Sequence, residues 1–136
     1  MVEGRVSGPD GAPVVGALVS FSRGDPIRQT TVFSDEDGRF RSPDLEDAPA
    51  VTLRVRRIGW QDLREPLELP QARPLALRLV PETDPAAVAA QLPSNHWLAL
   101  LLEKMEDPAE REEFVRQCTF CHQQGSAATR LEREDW

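Results

Sequence analysis

Between Val2 and Val80, apolar residues recur at every second position in short runs, and turn residues end each run before a helical period can develop. The cleanest run is Val51-Thr52-Leu53-Arg54-Val55-Arg56. A strand turns successive side chains to opposite faces, so Val51, Leu53 and Val55 are expected inward and Arg54 and Arg56 outward. The same reading makes strands of Val2-Glu3-Gly4-Arg5-Val6, ended by Gly8-Pro9-Asp10-Gly11, and of Ala17 to Phe21, with Ala17, Val19 and Phe21 on one face. Gln29 to Phe33 runs into Asp35-Glu36-Asp37-Gly38, beyond which Arg39-Phe40-Arg41 continues. Gly38 stands where a short hairpin loop needs a positive φ. Leu75 to Leu79 closes the set. No helix is available in this stretch to cover a one-sided sheet. The alternation therefore predicts two sheets face to face, an antiparallel β-sandwich over residues 1–80.

A different grammar begins at Pro81-Glu82-Thr83-Asp84-Pro85. Residues 81–92 read as a linker with helical tendency in Ala86 to Ala90, and residues 93–136 as a helical segment. Pro93-Ser94-Asn95 is a start signal for a helix from His96 to about Glu106. Trp97, Leu98, Leu101, Leu102 and Met105 recur at helical spacing on it, which predicts one buried face. Asp107-Pro108-Ala109-Glu110 reads as a cap: Asp107 at the N-cap, Pro108 in the first turn and Glu110 bonding back. The helix that follows aligns Phe114, Cys118 and Cys121 along one side. The fold class expected is thus mainly β with a C-terminal α segment.

Charge separates the same two parts. Residues 1–80 carry 11 Arg against 12 acids, a net of −1, and residues 81–136 carry 5 basic against 11 acidic side chains, a net of −6. The acidic second part argues against nucleic acid or an anionic membrane surface as partner and suits a basic redox partner protein, although a solvated helix surface has the same composition. No apolar run approaches the roughly 18 residues of a membrane helix.

Cys118-Thr119-Phe120-Cys121-His122 is a complete C-x-x-C-H. Two thiols three positions apart can add to two vinyl groups on one porphyrin edge, and the following His can take the iron from the proximal side. That is the attachment signature of one covalent haem c. Three competitors are weaker. A redox dithiol normally follows a strand in a βαβ unit, and none surrounds Cys118. A structural zinc site needs four ligands and would consume both Cys and both His, with His96 on another helix at no standard spacing. A disulfide across two intervening residues would be strained and would leave His122 without a role. Haem of this kind is attached outside the cytoplasm, so a periplasmic or extracellular protein is expected. Its export signal would be removed or lie upstream.

Two resemblances sharpen these readings. Gly4-Arg5-Val6-Ser7, Gly11 to Val19 and Ser34-Asp35-Glu36-Asp37-Gly38-Arg39-Phe40 resemble the carboxypeptidase regulatory-like domain over residues 1–80. That resemblance implies a transthyretin-like sandwich without catalytic residues, serving as a stabilising or adhesive module. Glu113 to His122 looks like the first helix of class I cytochromes c, in which an aromatic residue four positions before the first Cys packs on the terminal helix. Phe114 has that place. The family supplies a distal Met several dozen residues later. Here 14 residues follow His122 with neither Met nor His, so either the chain is part of a larger polypeptide or the sixth ligand is unusual. His96 is a candidate distal ligand, set against a helix-start histidine near solvent. Arg130 is a candidate partner of a haem propionate, set against an exposed arginine, and Met105 most simply packs within its own helix. The order of the two parts also looks like the N-terminal portion of bacterial exported proteins in which a cytochrome segment precedes a streptogramin-lyase-like propeller. The expected role is one-electron transfer, not enzyme chemistry by this chain alone. The alternative is an extracellular binding or self-assembling sandwich whose haem is structural or senses a small gas.

Overall fold

The computed structural model describes residues 1–45, 50–120 and 123–124. Seven strands come first: β1 (Glu3–Ser7), β2 (Leu18–Arg23), β3 (Arg28–Phe33), β4 (Arg39–Arg41), β5 (Val51–Arg56), β6 (Leu63–Leu67) and β7 (Leu75–Arg78). Helices α1 (Pro85–Gln91), α2 (Ser94–Glu103) and α3 (Pro108–Cys118) follow. The chain divides into two compact units, Met1–Val88 and Ala89–Trp136. No helix among the described residues is long and apolar enough to cross a membrane.

The strands form two sheets, one ordered β4-β1-β7 and the other β3-β2-β5-β6. Their facing sides make the core. Val2, Val6, Phe40, Leu77 and Leu79 come from the first sheet and its extensions; Ala17, Val19, Phe21, Val51, Leu53, Val55 and Leu67 come from the second. Phe21 and Phe40 meet across the gap with ring centroids 6.3 Å apart and planes inclined at 47°, an arrangement aromatic pairs favour over a face-to-face stack. The faces expected for Ala17, Val19 and Phe21, and for Val51, Leu53 and Val55, are the buried ones. A shift of one residue in either strand would send all of these to solvent, so burial itself fixes the register.

Three features differ from the reading of the sequence. β1 pairs antiparallel with β4 but parallel with β7, Gly4 opposite Leu75 and Val6 opposite Leu77. The sandwich is therefore not wholly antiparallel, because β7 returns from the four-stranded sheet to the far side of β1. Strand β6 is an addition to the expected set, since Pro66 interrupts Leu63 to Leu67. It is tolerated because β6 is an edge with β5 on one side only, and a residue lacking an N–H belongs at such an edge. Within the expected linker, residues 85–91 are helical. The Asp84 carboxylate accepts from the Ala86 amide at 3.0 Å, and Pro85 opens the turn.

The passage between sheets is made at Ser34 to Arg39. The Asp35 carboxylate accepts from the amides of Asp37 (3.0 Å) and Arg39 (2.8 Å), and the Asp35 carbonyl accepts from Gly38 at 2.9 Å. Gly38 has φ +74°, and a Cβ there would collide with the Val6 carbonyl, which the chain passes closely because Val6 donates to the Gly38 carbonyl at 2.8 Å. Only glycine meets both demands.

Two measurements check this account. Gly38→Ala should lower unfolding free energy by about 3 kcal/mol, from left-handed strain plus overpacking, and the melting temperature by roughly 10–25 °C for a domain of this size. Gly11→Ala, with φ +81° but open space around it, should cost only about 1 kcal/mol. Equal costs at the two positions would contradict the close approach at Val6. Secondly, a chain ended after Asp84 keeps the Gln61–Val80 and Glu82–Gly59 backbone bonds. It should melt cooperatively with a β-type circular dichroism spectrum; an unfolded product would make the helices part of the sandwich core.

Candidate functional site

Helix α3 carries the first thiol of the motif. Its start follows from local chemistry: the Asp107 carboxylate accepts from the Ala109 amide at 2.8 Å and Pro108 occupies the first turn. The expected cap is thus made by Asp107. Glu110 lies in the first turn and Arg116 in the last, each at the helix end whose partial charge it complements. On the surface, Glu113 pairs with Arg116 at 2.6 Å and also accepts from Gln117. Arg111 donates from Nε to the Met105 carbonyl at 2.6 Å, tying the start of α3 to the connection behind it.

Cys118 is the last residue of α3, half-buried and free. Thr119 ends the helix, its amide donating to the Val115 carbonyl at 3.3 Å and its hydroxyl to the same oxygen. Phe120, the second intervening residue, is 89% exposed. After the motif the Gln124 side-chain amide reaches back to the Cys118 carbonyl at 2.8 Å. The motif therefore begins where the helix stops. Cys121, His122 and Arg130 lie outside the described residues.

Arg111, Phe114 and Cys118 are the half-buried positions of α3, and they follow one another at helical spacing. Phe114 and Cys118 thus share a stripe, as their spacing in the sequence implies. On α2, Trp97, Leu98 and Leu102 are half-buried, as is Met105 just beyond it, while Leu101 is 41% exposed. The buried face expected there is only half covered: neither α2 nor α3 fully buries a single side chain. Helix α2 also begins earlier and ends sooner than expected, at Ser94 and Glu103. His96 is in its first turn, exposed, with its amide donating to the Pro93 carbonyl at 3.0 Å. That position matches a helix-start histidine near solvent.

These residues suit a flat apolar group covalently held at Cys118. Beyond Arg111 the stripe is apolar, the half-buried thiol stands at its end, and among the described residues α2 and α3 fully bury no side chain, so added apolar surface has something to cover. Among the described residues, no three His, Cys, Asp or Glu side chains converge as metal ligands; the motif's histidine is not one of those residues.

The sandwich carries an open cleft of about 490 Å³ bordered by Glu3, Arg5, Asp35, Arg39, Arg41 and Pro74. Its charges are largely engaged internally. Glu3 pairs with Arg41 at 2.6 Å, Asp35 caps its own turn, and Arg5 donates to the Asp37 carbonyl at 2.9 Å. No sequence signal marks this cleft, because only the β1–β4 register brings Glu3 opposite Arg41 and Arg5 opposite Arg39.

A search of curated proteins found no match to the chain. The family model of the carboxypeptidase regulatory-like domain matches residues 1–80, the segment that contains all seven strands and both sheets. By that match, and with the two-sheet architecture it covers, the chain belongs to the carboxypeptidase regulatory-like domain family.

Proposed function

We propose that the chain is an exported electron-transfer module in which residues 93–136 hold one covalent haem c and the family domain serves as a stabilising or binding partner. The observation that carries this reading is the complete Cys118-Thr119-Phe120-Cys121-His122 motif starting at the last residue of α3. Cys118 and Cys121 would hold the group as thioethers, and His122 would be the proximal iron ligand. The bound haem supplies a one-electron iron couple. The protein residues do the rest. Phe114, one turn before Cys118 on the same stripe, excludes water from the attachment edge. The half-covered apolar residues of α2 lower the local dielectric wherever they meet the group, which influences the potential. Arg130 would pair with a propionate. The excess of acids in residues 81–136 favours encounter with a basic redox partner, an effect that weakens as salt is raised. Attachment outside the cytoplasm makes the compartment periplasmic or extracellular. The wider likeness to exported cytochrome–propeller proteins rests on the order of the two parts, and no propeller chemistry is assigned.

A second reading has one observation in its favour. The family resemblance implies no catalytic residues in the sandwich, and one of its sheet edges, β3, has no charge after Arg28 and, among the described residues, pairs with a strand on one side only. The sandwich would then be the working part, a binding or assembly module, with the haem structural or gas-sensing.

Protein made in an export- and maturation-competent host should gain the mass of one haem and keep its pigment through denaturation and acid–acetone extraction. Complete loss of pigment would sink the proposal, and Cys118→Ser or Cys121→Ser should leave at most one thioether. The axial ligand can be tested on the same material. His96 is exposed on the first turn of α2 and Met105 is accounted for by the apolar side of that helix. The ferrous protein should therefore be open to carbon monoxide, and the ferric protein should lack the near-infrared methionine-to-iron charge-transfer band. That band, abolished by Met105→Ala, would make Met105 the ligand; a low-spin to high-spin change on His96→Ala alone would make it His96.

A further inference from the structure

Each sheet of the sandwich has two edges, and three of the four are protected in the ways natural sheets protect themselves. β4 is three residues long and two of them are arginines. β6 contains Pro66 beside Arg64 and Glu65. β7 has four residues, is preceded by Pro74 and ends in Arg78. β3 is different. It has six residues, and after Arg28 the run Gln29-Thr30-Thr31-Val32-Phe33 has no charge, no proline and no glycine. Among the described residues its only hydrogen-bonded neighbour strand is β2. Uncharged β-branched and aromatic residues on an open edge are a template for another strand.

The side chains at its two ends point to a particular occupant. Ile27, just before the strand, is 78% exposed, and Phe33, at its end, is 65% exposed. Phe33 lies on the same side of the pleat as Gln29 and Thr31, away from the core, and Ile27 is the last turn residue before the strand. Both leave apolar surface in water that a second strand laid along this edge would cover.

We propose that β3 pairs antiparallel with β3 of a second copy of this chain, about a two-fold axis at Thr30, joining the two four-stranded sheets into one of eight strands. The axis position follows from the residues. Centring on a residue keeps both core faces on the same side of the joined sheet, as the two-residue side-chain period requires. Centring on Thr30 brings Phe33 of each copy to the end of the other copy's strand, beside the turn residue Ile27, twice per dimer, so that two exposed apolar side chains cover each other. It also sets Gln29 opposite Thr31 and Arg28 opposite Val32, with no like charges facing each other within the strand. The interface is isologous and closes at two copies, so no fibre results. Pairing uses the backbone and side chains of β3 and asks nothing of the helical unit, so it is independent of haem.

The full chain should show a monomer–dimer equilibrium by sedimentation velocity over a wide concentration range. Phe33→Lys, at a position too exposed to hold the core, should keep its melting temperature and weaken the dimer at least about tenfold, since each dimer loses the apolar pair twice. Thr30→Cys places two thiols across the axis within disulfide reach. On oxidation it should give a covalent dimer whose link maps to residue 30 in peptide mass analysis, whereas Gln29→Cys, off the axis, should not. A chain that remains monomeric throughout overturns the proposal. So does a dimer that withstands Phe33→Lys and gives no residue-30 link, since that dimer uses another surface.

Discussion

The Ser34 hydroxyl donates to the Val14 carbonyl at 2.6 Å and accepts from the Ala17 amide at 2.8 Å, in a position 4% exposed. The rest of the sandwich depends on this junction. The chain must leave β3 in one sheet and begin β4 in the other, and at the two buried points of that crossing, Ser34 and Gly38, backbone polar groups are taken away from water. Each unpaired one costs about 1–3 kcal/mol. Here a connected set takes up these groups in turn. The Ser34 amide donates to Ala17, Gly16 to Ser34, Val14 to Val6, and Val6 to Gly38. One hydroxyl and one glycine thus tie β1, the segment before β2, and the turn before β4 into a single corner. The same solution recurs at the other buried serines. Ser42 accepts from Val2 at 2.8 Å and donates to Pro43, and Ser20, on the outer side of β2, bonds Thr31 at 2.8 Å.

Among the described residues, the buried apolar core of the sandwich is drawn from positions 2–79. The helical unit is built on other terms. Asp84 and Asp107 cap the starts of α1 and α3, and α2 follows Pro93 without a side-chain cap, but propensity and caps do not close a core. Most helical stability in proteins comes from packing an apolar face, and α2 and α3 leave theirs half covered. This contrast gives physical weight to the haem reading: a covalent planar group is the kind of addition that completes two short helices, whereas it would have no place between the filled sheets.

Strand pairing shows where sequence reading reaches its limit. Val51 to Arg56 was legible because alternation reports one buried face directly, and all three residues expected inward are buried. β6 was not legible, because Pro66 is a strand breaker until its location on an edge is known. The parallel β1–β7 pair was equally hidden, since the alternation from Leu75 to Arg78 is the same whichever way a neighbour runs. The α2 stripe was visible, yet its burial is less than its spacing implies: periodicity says that a face is apolar and does not say what covers it. In the candidate site, Phe114 and Cys118 share a side of α3 as their spacing required, and His96 is at an exposed helix start.

The sequence by itself determined the strand faces, the glycine at position 38, the Asp107 cap and the presence of a complete C-x-x-C-H, because each depends on neighbours within a few residues along the chain. Tertiary structure alone decided which strands are edges, that β7 joins β1 in parallel, that Arg5 meets Arg39 beside the open cleft, and that Ser34 is a buried junction and not a loop serine. Those facts depend on which distant segments share the limited interior of one small domain, and no local pattern encodes a neighbour some tens of residues away.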